Sequence, residues 1–167
     1  RYVRCWDLAS SSKQRSGDDP DYTAGALGCT VKEDGVYSLW IKDIVALREE
    51  KPKRDKAILR CVEGDGGNVT VCVEAFGAYK DTYTDLRETL RGKRTIKKLN
   101  APGDKEVKAA PLEPIFEAGN VHVLRSDWNT LFLDQFNAFP DGKHDDIVDA
   151  VAMIYHATAK GGSTMIF

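Results

Sequence analysis

The run from His144 to Ala157 constrains the fold more than any other stretch of the chain. Its apolar residues Ile147, Val148, Val151, Ile154 and Tyr155 recur at helical spacing, so the helix must bury one face against a partner. Three carboxylates travel with it. Asp145, Asp146 and Asp149 open the helix, and Asp146 and Asp149 lie one turn apart on the same side. Acids in a first turn complement the helix macrodipole, and that alone accounts for Asp145 and Asp146. Asp149 fits this explanation less well, because it borders the apolar face. Gly161-Gly162 ends the helix and leaves a short tail.

The partner for that face is a sheet. Tyr2 to Leu8 reads as a short buried strand that ends around Asp7, followed by the polar loop Ser10 to Pro20. Thr23 to Val31 and Val36 to Asp43 are the next two strands, and Asp34-Gly35 between them is a strong hairpin signal. Pro52 to Gly64 has helical spacing and a Gly stop. Asn68 to Glu74 is a β-branched strand, and Ala78 to Arg91 a helix. Thr95 to Lys97 is a short strand, Asp104 to Ala109 a short helix, Asn120 to Leu124 a strand, and Trp128 to Phe136 a helix. Three antiparallel strands followed by alternating helices and strands predict an α/β fold, a mixed central β-sheet flanked by α-helices.

A length of 167 residues gives room for one domain with a full core, and 42% hydrophobic content argues against disorder. The net charge of -2 excludes a strongly basic nucleic-acid coat protein. The charge is uneven: Arg87 to Lys108 holds eight basic and three acidic residues, and Asp127 to Phe167 six Asp against two Lys. Such a division suits an anionic substrate held beside a metal site, and it equally suits two solvated faces. Cys5, Cys61 and Cys72 sit in apolar runs and no C-x-x-C pair occurs, which reads as buried thiols in a reducing compartment. No apolar run approaches the ~20 residues that span a bilayer, so no membrane partner is expected.

The candidate chemistry lies where acids end or begin regular elements: Asp7, Glu74, and the group at the start of the last helix. Burying several carboxylates together is unfavourable unless cations neutralise them. Mg²⁺ or Mn²⁺ takes such oxygen ligands, and two ions about 4 Å apart activate water and stabilise a leaving oxygen in phosphodiester hydrolysis. Taken singly, Glu74 is an ordinary strand-end acid and Asp7 a partner for an Arg. Together, in this order, they exceed a coincidence of caps. His144, just before the acid pair, offers a ligand, a substrate contact or a helix cap, with a cap or surface role the default of the three, and His122 and His156 read as structural. Lys105 and Lys108 can hold phosphates, although a solvated helix face is the default for such a run. No phosphate-binding glycine loop and no nucleophile elbow is present.

Several segments then carry a resemblance when taken in order. They are Arg4-Cys5-Trp6-Asp7-Leu8-Ala9, Asp21-Tyr22-Thr23-Ala24-Gly25, Val73-Glu74-Ala75, Lys105-Glu106-Val107-Lys108-Ala109-Ala110-Pro111 and Glu117-Ala118-Gly119-Asn120-Val121. Phe139-Pro140 through His144-Asp145-Asp146-Ile147-Val148-Asp149-Ala150 completes the series. In this order they resemble the nuclease domain of tailed-phage terminase large subunits, over nearly the whole chain. The resemblance implies a ribonuclease H-like fold in a single domain, residues 1–167, that cuts concatemeric viral DNA at the start and end of packaging. It implies Asp7 and Glu74 as the first two metal ligands, with the third from Asp146 and Asp149 and with Asp145 the weaker candidate. Two ions, Mg²⁺ or Mn²⁺, would be the cofactors. Asp21 recurs in the pattern and is left as a hairpin residue or a support behind the ligands.

Double-stranded DNA is the implied partner, its backbone lying along Lys93, Arg94, Lys97, Lys98, Lys105 and Lys108 with weak sequence preference. The full-length family adds an N-terminal packaging ATPase, whose phosphate loop is missing from this chain, so the sequence reads as the nuclease half alone. Portal and small terminase subunit are further implied partners, and the place of work is the host cytoplasm at the procapsid portal. Two alternatives remain at this point. One is another ribonuclease H-like nuclease such as a junction resolvase. The other is a non-catalytic module that docks the motor or binds DNA, against which the retained carboxylates argue.

Overall fold

In the computed structural model the described residues are 1–9, 20–74, 80–99 and 103–159. The polar loop from Ser10, the start of the helix expected from Ala78, and the Gly161-Gly162 stop lie outside them.

The strands are β1 (Val3–Asp7), β2 (Thr23–Glu33), β3 (Val36–Leu47), β4 (Thr70–Glu74), β5 (Ile96–Leu99) and β6 (Val121–Val123). They form one sheet in the order β5-β4-β1-β2-β3-β6. The pairs β1–β2 and β2–β3 are antiparallel, while β1–β4, β4–β5 and β3–β6 are parallel, so the sheet is mixed as expected. The Asp34-Gly35 hairpin forms with both residues at positive φ, 50° and 86°, the turn conformation that Asp-Gly favours. β1 is the central short strand, paired on both edges and covered on both faces. This is why it reads as a near-continuous apolar run rather than an alternating one.

The helices are α1 (Lys51–Gly64), α2 (Lys80–Thr89), α3 (Lys105–Ala109), α4 (Glu113–Glu117), α5 (Asn129–Ala138) and α6 (Asp146–Thr158). α6 packs over β1 and β2. Its residues from Asp146 to Ile154 are all buried, and of these Ile147 and the run Ala150 to Ile154 join Val3, Cys5, Ala24, Ala26, Leu39 and Ile41 in the larger core. Trp6, Leu8, Val71 and Val73 face the other way and pack with Ile58, Val62, Leu86 and Leu90 of the α1–α2 layer. Gly25 is required here, because a Cβ at that position would lie 2.5 Å from the ring of Trp6.

Two features differ from the sequence reading. A 3-10 turn at Ala110–Leu112 and the short helix α4 carry prolines in their first turns, where a missing N–H costs nothing; the apolar spacing is too brief to announce them. The last helix begins at Asp146 rather than His144, since Asp145 has the non-helical φ of −138°. Among the described residues no helix is long and apolar enough to cross a membrane.

Candidate functional site

The pleat of the sheet decides where the acids go. Side chains two apart on a strand share a face, so Asp7 follows Val3 and Cys5 onto the α6 face, and Glu74 follows Cys72 onto the same face. β1 and β4 are parallel neighbours in register from Val3↔Thr70 to Trp6↔Val73, which brings Asp7 and Glu74 out side by side at one end of the sheet. α6 starts above that end and supplies Asp146 and Asp149, which are 5% and 8% exposed. The sequence-predicted carboxylates from three separate elements therefore meet in one place.

The electrostatics report the crowding. The Asp7 carboxyl is pushed well above its usual range, by burial first and then by the fields of Asp149, Asp146 and Glu74. Asp149 is raised to about 6; burial is the main cause, Lys105 opposes it, and Asp145 adds to it. Asp149 Oδ1 is buried and accepts no hydrogen bond among the described residues. Asp146 is raised by burial, with relief from the Tyr22 N–H, which donates to Asp146 Oδ2 at 3.1 Å. A dry group of acids with an unused lone pair is a donor set suited to a hard divalent cation.

Asp145 stands at the N-cap position, but its carboxylate makes no cap hydrogen bond. It pairs instead with Lys105 Nζ, which also lies 3.8 Å from Asp149 Oδ2. Lys108 Nζ donates to Glu74 Oε1 at 2.7 Å. The two lysines of α3 thus pair with the acids of the cluster, Lys108 from a largely buried position and Lys105 from its exposed rim. Gln135 of α5 performs the capping: its Oε1 accepts from the Ile147 N–H at 2.8 Å.

The rest of the basic run divides. Lys97 pairs with Cys72 and takes the carboxylate face of the sheet, whereas Lys98 pairs with Val73 and takes the opposite face. Lys93 and Arg94 border a shallow cleft with Leu59 and Val62 on the α1–α2 side.

One neighbouring group escaped the sequence reading. Asp21, His144 and Asp146 each offer a ligand atom, all within 4.8 Å of one another. The ring of His144 stands edge-on to Tyr22, with centroids 5.4 Å apart, and Arg48 lies over Tyr22 and donates to His144 Nε2 at 3.1 Å. The hints in the sequence are His144 standing just before the acid pair, where a ligand role is one of its readings, and Asp21 recurring among the family-like segments. Nothing in local spacing joins it to His144.

A family model described as the terminase RNaseH-like domain matches residues 4–158. Among solved structures, the large terminase nuclease of thermophilic phage G20c with bound zinc superposes with a TM-score of 0.58 at 20% identity, covering 94% of this chain and 82% of that one. The same phage nuclease with bound magnesium gives a TM-score of 0.56 at 16% identity, with the same coverage. The fowlpox virus Holliday junction resolvase gives 0.58 at 11% identity, covering 96% of this chain and 99% of that one. No curated protein matches the sequence.

Proposed function

The chain belongs to the terminase RNaseH-like domain family, and from that premise we propose that it is a divalent-metal-dependent endodeoxyribonuclease that cuts concatemeric phage DNA during packaging. The observation that carries this reading is the convergence of Asp7, Glu74, Asp146 and Asp149 from β1, β4 and α6 at one end of the sheet, with the Asp7 carboxyl raised by burial and by its acidic neighbours. These four residues would hold Mg²⁺ or Mn²⁺. Bound as a pair, such ions activate water and stabilise the leaving oxygen of a phosphodiester.

The protein's own residues have clear tasks in this reading. Asp7 and Glu74, fixed by parallel strand pairing, set the floor of the site; Asp146 and Asp149, fixed by the buried stripe of α6, set its wall. The Tyr22 N–H orients the Asp146 carboxylate, and Gln135 holds the first turn of α6 in place. Lys97, Lys105 and Lys108 lie on the face from which DNA would approach, whereas Lys93, Arg94 and Lys98 take the opposite, α1–α2 side of the sheet and are not assigned to that path. The packaging ATPase, the portal and the small terminase subunit are the partners this reading assigns, at the procapsid portal in the host cytoplasm.

Incubation of the protein with supercoiled plasmid in Mn²⁺, in Mg²⁺ and in chelator tests the reading. Nicked and linear products are expected with either ion and none with chelator; cutting that survives chelation would overturn it. The likeness to a junction resolvase over nearly all of that chain motivates a second reading, in which branched DNA is the substrate. A four-way junction offered beside linear duplex separates the two: equal cutting of both favours the packaging nuclease, and resolution of the junction alone favours the second.

A further inference from the structure

The lysines of α3 are placed with more care than a phosphate-binding fringe requires. Lys108 and Glu74 are 17% and 15% exposed at their side chains, and their ion pair closes at 2.7 Å. Lys105 sits between Asp145 and Asp149. Their spacing of three residues puts both ammonium groups on one side of a single helical turn. That turn is itself anchored. Asp104 caps it by accepting from the Val107 N–H at 3.0 Å, and His156 of α6 lies 3.0 Å from the Lys108 carbonyl through Nε2. Two flexible cations are therefore paired with three carboxylates, those of Glu74, Asp145 and Asp149.

An ammonium on a carboxylate oxygen uses the same lone pairs that a hard cation needs, and two cations on one carboxylate repel each other. We propose that Lys105 and Lys108 are built-in counter-ions that compete with divalent metal for Glu74, Asp145 and Asp149, so that the site exchanges lysine for metal. This rests on the reading that these carboxylates bind the ions. Lysine suits the exchange because its ammonium is a point charge on a four-carbon stem that can swing aside, whereas a guanidinium would grip the carboxylate with a fixed fork. Once displaced, the ammonium groups remain at the mouth of the site, where they meet a DNA phosphate. The device keeps the acid cluster neutralised enough to fold and releases positive charge towards the substrate when the ions enter.

The test is calorimetric titration of Mn²⁺ into the wild type and into Lys105→Met, Lys108→Met, Lys108→Arg and Asp7→Asn, with no DNA present. Exchange predicts that each Met variant binds Mn²⁺ about fivefold tighter, the factor expected for removing one partly buried competing charge. Lys108→Arg should bind several-fold more weakly. The opposite signs of Met and Arg at one position cannot come from a merely structural role. Met variants that bind no more tightly than wild type, while Asp7→Asn abolishes uptake, overturn the exchange and leave the metal site standing. A wild type that takes up no Mn²⁺ overturns both. Circular dichroism checks the fold of each variant, and Lys105→Met, whose side chain is 57% exposed, decides the matter if Lys108→Met fails to fold.

Discussion

Replacement of Asp149 by Asn should stabilise the protein in chelator at neutral pH, and the effect should vanish in acid. The Asp149 carboxyl rises from 3.8 to about 6 on folding, chiefly through burial. The folded state therefore binds a proton more tightly than the unfolded chain. Below pH 4 both states are protonated and nothing is lost. As the pH climbs from about 4 to 6 the unfolded chain ionises first, and folding loses free energy until the folded carboxyl has also ionised. At about 1.4 kcal/mol for each tenfold change, that rise sets a ceiling of about 3 kcal/mol above pH 6. Solvent at the rim of the cluster and the new amide, which must find its own partners, reduce the gain to about 1.5 kcal/mol. For a chain of this size this corresponds to about 3–6 °C in melting temperature. The assay is thermal melting of wild type and Asp149→Asn in EDTA at half-unit steps from pH 3.5 to 7.5. The two curves should meet near pH 4 and separate upward. A variant that melts lower than wild type at pH 7, or a gap that does not change with pH, would refute the argument that Asp149 is an electrostatically strained acid.

Other substitutions probe separate parts of the same structure. Asp7→Asn and Glu74→Gln should both abolish cleavage, but their melting temperatures in chelator should part. Asp7→Asn relieves a crowded acid and melts at or above the wild type, while Glu74→Gln breaks the pair with Lys108, loses about 0.5–1 kcal/mol of stability and melts lower. Gln135→Leu removes the acceptor for the Ile147 N–H at the head of α6; urea titration should show a loss of about 1–2 kcal/mol, and plasmid nicking should slow as Asp146 and Asp149 lose their fixed setting. Arg4→Met leaves Asp65 and Asp43 without the guanidinium they share at 2.6 and 2.7 Å, and should cost about 3–5 kcal/mol in denaturant unfolding; Arg4→Lys should recover only part of that.

The elements most legible in the sequence are those whose burial is complete or regular. α6 shows its period because a full helical face is apolar, and the β2–β3 hairpin shows because Asp34-Gly35 can adopt positive φ at both positions. β2 runs on to Glu33 because backbone pairing continues where the side chains have already reached solvent, and β3 runs past Asp43 through the apolar Ile44-Val45-Ala46-Leu47, which stays paired with the start of β2. α4 and the turn before it were hidden. At five and three residues they are too short for a period to develop, and their prolines read as breaks although they sit harmlessly in first turns.

The site divides along a similar line. That Asp7, Glu74 and the α6 acids should meet follows from strand ends and a helix start, because strand pleat and helix period carry orientation over short distances. The lysines expose the limit of this reasoning. Spacing in Lys105-Glu106-Val107-Lys108 puts two cations on one side of α3, yet whether that side meets water or acid depends on how α3 docks on α6. That docking is fixed by contacts some forty residues away in the chain, Lys105 with Asp145 and Lys108 with His156. A run of positive charge therefore reads the same in a sequence whether it is a solvated face, a track for DNA or a set of internal counter-ions. Only the tertiary position of each ammonium separates them. Here it splits one basic run between a cleft on the α1–α2 side, a sheet edge whose neighbouring lysines face opposite ways, and the centre of the acid cluster.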